Sequence, residues 1–552
     1  MRLIALFAGV VLILATTSTR APAAAAAQRP NIVLILADDM GYSDVGCFGG
    51  EIATLNIDRI AAQGVRMTQF YNNARCCPTR AALLTGLYPH QAGVGHMMGN
   101  RGLPGYEGQL NDQCVTLAEV LSAAGYRTAM AGKWHVCRAT VRKPMVNHAS
   151  TQPFWVDKSA WPRQRGFQSY YGTIIGVNDF YDPFSLVRDN EPIYDPPPSD
   201  FYYTDAITDE AVKQIRAGEK DDKPFFLYVA HTAPHWPLHA LEADIRKYQD
   251  AYKDGWERLR ETRLKRMIET GIVPPDTTLP TREPESEAWV DAPNKAWEAR
   301  RMAVYAAQID RMDQGIGKIL AALDETKQAD NTLLIFLSDN GGCAENVQRD
   351  WFDIPTKTRD GRAISVGNDD PNVEAGPQES FLSYGPSWAM ASNTPFRRYK
   401  HYVHEGGIST PFAMRWPGKI DPGTIDRTPR HVIDFMPTFL EAAGATYPAG
   451  KQKPRGVSLL ANPDRTLGWE HEGNRAFRRG DMKIVAEHGK PWELYDLSTD
   501  RTESKDLAAE RPELVRELSA AYDEWAKRTN VLPWDEVQKH RSSSTSPAGA
   551  AP

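Results

Sequence analysis

Residues 71–86 read YNNARCCPTRAALLTG and set two cysteines, Cys76 and Cys77, directly before a proline in a chain of 552 residues with six cysteines altogether. Pro78 suits the first turn of a helix and TRAALLTG continues as a helical run, so Cys76 is placed just before a helix N-terminus. Amide donors and the positive end of the helix dipole meet there, so an anion can dock and a thiol loses its proton more readily. The generic chemistry is a thiolate nucleophile activated by the helix end and Arg80, against the plainer reading of a buried, inert thiol.

A second set of groups carries oxygen rather than sulfur. Asp38–Asp39 follows the apolar run NIVLILA, and Asp339–Asn340 follows NTLLIFLS; both precede glycine-containing turns. Either pair alone reads as a turn. Brought to adjacent strand ends, the four side chains supply the carboxylate and amide oxygens that a hard divalent cation, Ca²⁺ or Mg²⁺, requires.

The elements that must position these groups alternate along the chain. NIVLILAD reads as a buried parallel strand, TLNIDRIAAQG as a helix closed by Gly64, and VRMTQFYNN as a strand. The pattern recurs in VTLAEVLSAAG with YRTAMAGKWH, and in AVYAAQIDRMDQGIGKILAAL with NTLLIFLSDNGG. Such alternation predicts an α/β domain whose mainly parallel or mixed central sheet is flanked by helices, with sites at the carboxyl ends of strands.

Three segments interrupt it: aromatic- and proline-rich loops over 139–205, an amphipathic helix with a solvated charged face over 240–271, and a long polar loop over 352–392. From residue 455 short strands and a final helix predict a smaller α+β subdomain with an antiparallel sheet. The expected organisation is a signal peptide over 1–27, a catalytic domain over 28–454, the subdomain over 455–540 and a disordered tail over 541–552.

A net charge of −6 leaves no basic footprint for nucleic acid. The first 27 residues carry Arg2, an apolar run of about 13 residues and an alanine-rich end, which predicts export to a periplasmic or extracellular compartment. The run falls short of the roughly 20 residues of a membrane anchor. Six cysteines in this length make no disulfide scaffold, and their spacing makes no zinc cluster.

The stretch Cys76-Cys77-Pro78-Thr79-Arg80 with Leu84-Thr85-Gly86 resembles the signature of the sulfatases, Cys-x-Pro-x-Arg followed by Leu-Thr-Gly. GKWH, TAPHWPLHA, LLIFLSDNGG and NTPFRRYKHYVHEGGISTPF resemble further blocks of that family. The likeness runs from about residue 30 to the C-terminal helix and is greatest to bacterial arylsulfatases, within the alkaline phosphatase superfamily. It implies that Cys76 is oxidised by a formylglycine-generating enzyme to Cα-formylglycine (3-oxoalanine), leaving Cys77 at the variable position. It implies that Asp38, Asp39, Asp339 and Asn340 bind Ca²⁺, Mg²⁺ being the lesser choice. Arg80, Lys133, His135, His235 and Lys400 complete the implied catalytic set.

The implied reaction is hydrolysis of a small sulfate monoester, an aryl sulfate foremost. One hydroxyl of the hydrated aldehyde attacks sulfur, and the covalent sulfate hemiacetal is released when the second hydroxyl reforms the aldehyde. Lys133 and Lys400 would neutralise sulfuryl oxygens, His235 or Lys400 would protonate the leaving oxygen, His135 would act as base in the release, Arg80 would hold the hydrate and Thr79 could cap the helix. Phe154, Trp155, Tyr170, Tyr171 and Phe180 either stack on the leaving group or pack the interior, and His90, His96, Asn178 and His401 are further candidates. Two other readings stay open: a phosphonate monoester or phosphodiester hydrolase sharing the nucleophile and metal, and a sulfate-ester-binding homologue without turnover.

Overall fold

A computed structural model of the chain describes residues 29–138, 157–176, 179–220, 223–349, 351, 354–462 and 464–540. The expected signal peptide and tail, and the candidates Phe154, Trp155 and Asn178, lie outside the described residues.

The run NIVLILAD forms the strand Asn31–Asp38, buried along its whole length at the centre of a ten-stranded mixed sheet. It pairs in parallel with Phe225–Pro234 on one side and with Thr332–Ser338 on the other. Beyond Phe225–Pro234 come the parallel strands Arg127–Gly132 and Ser169–Thr173; beyond Thr332–Ser338 the sheet turns antiparallel at Phe412–Arg415. The central run is continuously apolar because both faces are covered. Val33 and Ile35 pack toward the 31-residue helix Lys295–Glu325, while Ile32, Leu34 and Leu36 pack toward Leu83, Leu84 and Phe435.

The expected C-terminal unit contains a four-stranded antiparallel sheet, Thr466–His471, Asn474–Arg479, Met482–Ala486 and Glu493–Asp496, followed by the helix Pro512–Thr529. Among the described residues, no helix is long and apolar enough to cross a membrane.

Several expectations need correction. VRMTQFYNN is two short strands, Val65–Met67 and Phe70–Tyr71, which belong to different sheets. The helix expected over 240–271 splits into Glu242–Ile245 and Gly255–Glu269. Its charged face is not all solvated, since Arg263 is buried against Asp44 and Glu51. The long loop expected over 352–392 ends instead in a buried helix, Gly385–Ser392, whose alanines and tryptophan favour helix despite the surrounding glycine and proline. Within 139–205, Ser169–Thr173 and Leu186–Arg188 are sheet strands and Tyr203 opens a 15-residue helix.

Candidate active site

The parallel pairing of Asn31–Asp38 with Thr332–Ser338 aligns Ala37 with Ser338, so Asp38–Asp39 and Asp339–Asn340 leave neighbouring strands side by side. Asp39 takes a left-handed backbone (φ 66°), and its N–H donates to Asp339 Oδ1 at 3.2 Å. Asn340 Nδ2 donates to Asp39 Oδ1 at 2.6 Å. All four residues are at most 1% exposed.

The helix Cys76–Thr85 enters the same place with every residue buried. It begins at Cys76 itself, so Cys76 and Cys77 open its first turn and Pro78 follows. Thr79 is not the cap: its hydroxyl accepts from Asn73 N–H at 2.9 Å and fixes the approach to the helix instead. Arg80 points back from the helix, donating through Nε and Nη2 to Asp339 Oδ2 at 3.0 and 2.7 Å and through Nη1 to Lys133 O at 2.9 Å.

Two lysines complete the charge pairing. Lys133, directly after the strand Arg127–Gly132, donates to Asp38 Oδ2 at 2.6 Å. Lys400 donates to Asp39 Oδ2 at 2.8 Å and stands 3.3 Å from His235 Nε2. His235 Nδ1 lies 2.6 Å from Trp236 O, which assigns the proton to Nδ1 and leaves Nε2 as the free acceptor. His135 takes a left-handed backbone (φ 59°), and a Cβ at Gly176 would lie 2.4 Å from its Cε1, so only glycine leaves room for that ring. Ligand atoms of Cys76, Cys77 and His135 gather within 4.8 Å of one another, as do those of Asp38, Asp39 and His235.

The electrostatics divide the roles. A hydrogen bond from Cys77 holds the Cys76 thiol well below its ordinary value, with Lys133 and His135 outweighing burial, while burial pushes Cys77 well up. Of the two adjacent thiols, Cys76 is the one that loses its proton more readily. Burial alone would raise Asp38, but Lys133 and Arg80 overcome it and hold the carboxyl at about 2. Burial and the neighbouring Asp38 push Asp339 up. Burial opposes the charge on Lys133 and Lys400, yet Asp38 and Asp39 keep both ammonium groups protonated beyond their usual range. Burial lowers His135 to about 4 and lowers His235, so both imidazoles are neutral near pH 7.

The acidic end fits a hard cation on its own evidence. Asp38 Oδ1 and Asn340 Oδ1 are buried oxygens with no hydrogen-bond partner, although a native interior seldom strands such atoms. They stand beside Asp39 and Asp339, so the donor set is carboxylate and amide oxygen throughout.

The profile of the sulfatase family matches residues 30–445. An uncharacterized sulfatase of Schizosaccharomyces pombe is 33% identical over 557 residues, covering 92% of this chain and 95% of its own. The chain belongs to the sulfatase family. It is thereby a sulfuric ester hydrolase, of a family that generally uses formylglycine and a divalent metal. An arylsulfatase of Klebsiella aerogenes is 37% identical over 438 residues, 76% of this chain and 88% of that one. The crystal structure of Ps i-CgsB in complex with k-i-k-neocarrahexaose shares the fold, with a TM-score of 0.63 at 24% identity over 90% of this chain and 93% of that one.

In this sulfatase the main candidates converge and several secondary ones do not. Tyr170 and Phe180 are interior, Tyr170 bonding Gly132 O and Thr173 O, and Phe180 stacking on Tyr202; Tyr171 packs under Arg188. His90 is buried against Glu470, and the half-buried His96 lies 2.7 Å from Glu472 at the rim. His401 reaches the rim, where a cavity of about 380 Å³ is lined by Arg75, Glu345, Lys400, His401, Tyr402 and Glu472. A larger cavity of about 460 Å³ beside Arg415 and Pro417 holds none of the site residues.

Sequence reasoning missed Glu345 and Arg75. Glu345 Oε2 lies 3.3 Å from Lys400 Nζ and accepts from Trp236 Nε1 at 2.9 Å, while Oε1 accepts from Arg75 Nη1 at 2.5 Å. Burial would raise its carboxyl, but Arg75 and then Lys400 hold it well below the usual range. The only available signal was proximity to the DNGG block, since a lone glutamate in CAEN has no spacing partner.

Proposed function

We propose that this sulfatase hydrolyses aryl sulfate monoesters to a phenol and inorganic sulfate, with Cys76 converted to Cα-formylglycine by a formylglycine-generating enzyme. We further propose that the chain is exported, with residues 1–27 removed as a signal peptide. The observation that carries the catalytic reading is the meeting of position 76 with two lysines, two neutral histidines and an oxygen-rich acidic end in one buried centre. The relation to the Klebsiella arylsulfatase supports the aryl preference.

Asp38, Asp39, Asp339 and Asn340 would hold the divalent cation, Ca²⁺ before Mg²⁺, which when bound supplies positive charge beside the sulfuryl oxygens. The oxidised side chain, once hydrated, supplies one hydroxyl as nucleophile and a second that permits release. Arg80 fixes the orientation of Asp339 and ties the helix to Lys133, so the reacting carbon and the acidic end keep one geometry. Lys133 and Lys400 would face the single negative charge of the ester, which shifts toward the bridging oxygen as the ester bond breaks. On the leaving side, Lys400 holds a proton within 3.3 Å of His235 Nε2, and the pair can pass it to the departing oxygen. His135, neutral beside position 76, is the base for release.

The test is mass spectrometry of the tryptic peptide Cys76–Arg80 from protein made together with its modifying enzyme, with turnover of nitrophenyl sulfate measured on the same sample. Aldehyde at position 76 in proportion to activity is expected. Full activity from protein whose Cys76 is wholly unoxidised would end the reading.

A further inference from the structure

Lys400 sits on a tight turn that folds back on itself. Its N–H donates to Gly342 O at 3.1 Å, the next N–H, of His401, donates to Ala74 O at 2.8 Å, and Gly406 N–H closes the turn onto Arg397 O at 2.8 Å. A Cβ at Gly407 would lie 1.8 Å from Tyr402 O, so the chain has no room for a side chain there. At the base of this turn stands Glu405, fully buried and five positions after Lys400.

Glu405 is held from three directions. Its Oε1 accepts from Lys483 Nζ at 3.0 Å; its Oε2 accepts from Tyr71 OH at 3.0 Å, Ser409 Oγ at 2.9 Å and Arg501 Nη2 at 3.1 Å. Its N–H donates to Glu503 Oε2 at 2.8 Å, and Glu503 Oε1 pairs with the same Lys483 at 2.8 Å. Lys483 lies on the third strand of the small antiparallel sheet, and Arg501 and Glu503 lie just after its last strand. Tyr71 ends the short strand that leads into the Cys76 helix. Burial would raise the carboxyl of Glu405, but Lys483 and then Arg501 hold it at about 2.

One carboxylate thus joins the Lys400 turn, the small sheet and the approach to position 76. We infer that Glu405 and Lys483 are a positioning pair, through which the C-terminal sheet sets the place of the Lys400 ammonium against Asp39 and the leaving oxygen. The inference rests on the proposed role of Lys400 in helping the alcohol depart. Misplacing a catalytic group by about 1 Å costs on the order of a hundredfold in rate, so a side-chain anchor at the base of the turn adds to the backbone hydrogen bonds that hold it to Gly342 and Ala74.

The signature of misplacement differs from that of a weakened fold. A poorer leaving group depends more on proton donation, so a displaced Lys400 steepens the dependence of kcat/KM on the acidity of the leaving phenol. A loss of folded enzyme lowers every substrate by one factor. Glu405→Gln keeps the shape and removes the charge; Lys483→Met removes the partner and, should it fail to fold, leaves Glu405→Gln to carry the test.

With a series of substituted phenyl sulfates, Glu405→Gln is expected to lower kcat/KM by about tenfold or more on unsubstituted phenyl sulfate and by less on nitrophenyl sulfate. Added to Lys400→Ala, it is expected to cost less than about a further twofold, because the group it positions is already gone. A uniform loss across the series, or full additivity with Lys400→Ala, overturns the positioning role while leaving the proposed function intact. If Lys400→Ala itself lowers all substrates equally, the role proposed for Lys400 fails and the positioning inference falls with it.

Discussion

Buried charge is handled in two ways in this protein. At the junction with the small sheet, the carboxylate of Glu405 accepts from four donors, so both oxygens are engaged and the group serves as a fastener. At the catalytic centre the carboxylates are also paired, yet Asp38 Oδ1, Asn340 Oδ1 and His135 Nδ1 have no hydrogen-bond partner. An unmet buried acceptor costs about 1–3 kcal/mol, which a fold tolerates where a ligand is to meet it. The difference separates a carboxylate whose two oxygens are both engaged, Glu405, from one, Asp38, that keeps an oxygen free to meet a charged group.

The largest test of that contrast lies at the two cysteines. Cys76→Ala is expected to lower kcat on nitrophenyl sulfate by several orders of magnitude, toward the ~10⁶ lost when an enzyme is deprived of its nucleophile. Cys77→Ala, at a thiol that burial pushes well up, is expected to leave the rate within about tenfold of the wild type. Thermal melting of both variants near the wild-type temperature separates chemistry from folding; equal loss of rate in the two would erase the distinction between the neighbouring thiols.

Next come the lysines. Lys133→Ala and Lys400→Ala are each expected to lower kcat about a hundredfold, the scale of one lost electrostatic donor. Each frees a carboxylate that already faces other groups, Asp38 facing Arg80 at 3.5 Å and Asp39 facing Asn340 at 2.6 Å. Near-wild-type rates would remove either lysine from the mechanism and make its ion pair a structural one.

How far the sequence carried the fold and site depends on the range of the forces involved. Asp38 and Asp339 were legible because each ends a continuous apolar strand, and the α/β alternation implies that such strands meet side by side. The cysteine pair was legible from its local helix start, and the resemblance to the sulfatase signature chose Cys76 over Cys77. Glu345 and Arg75 were not, since their link to Lys400 is made by a fold that brings residues 270 positions apart to 2.5 Å. The left-handed turns at Asp39 and His135 were equally hidden, because tertiary packing imposes them on residues with no glycine signal. His90 and His96 misled for the opposite reason: their closeness in sequence to the motif does not bring them to the centre, and glutamates of the small sheet hold them instead.

The smallest effect concerns a histidine that belongs to neither region. His231 is fully buried on the strand Phe225–Pro234, neither ring nitrogen has a hydrogen-bond partner, and burial lowers it to about 3. Because its folded value lies below that of the unfolded chain, the unfolded state binds the extra proton between about pH 6.5 and pH 3. The associated stability is therefore complete above pH 6.5 and is lost as the pH falls toward 3. One such group gives a slope of about 1.4 kcal/mol per pH unit inside that window. Denaturant unfolding of His231→Leu between pH 5 and 6 is expected to show a slope smaller by about that amount, with the rate at neutral pH little changed. An unchanged slope would mean that the imidazole finds a proton partner in the native protein.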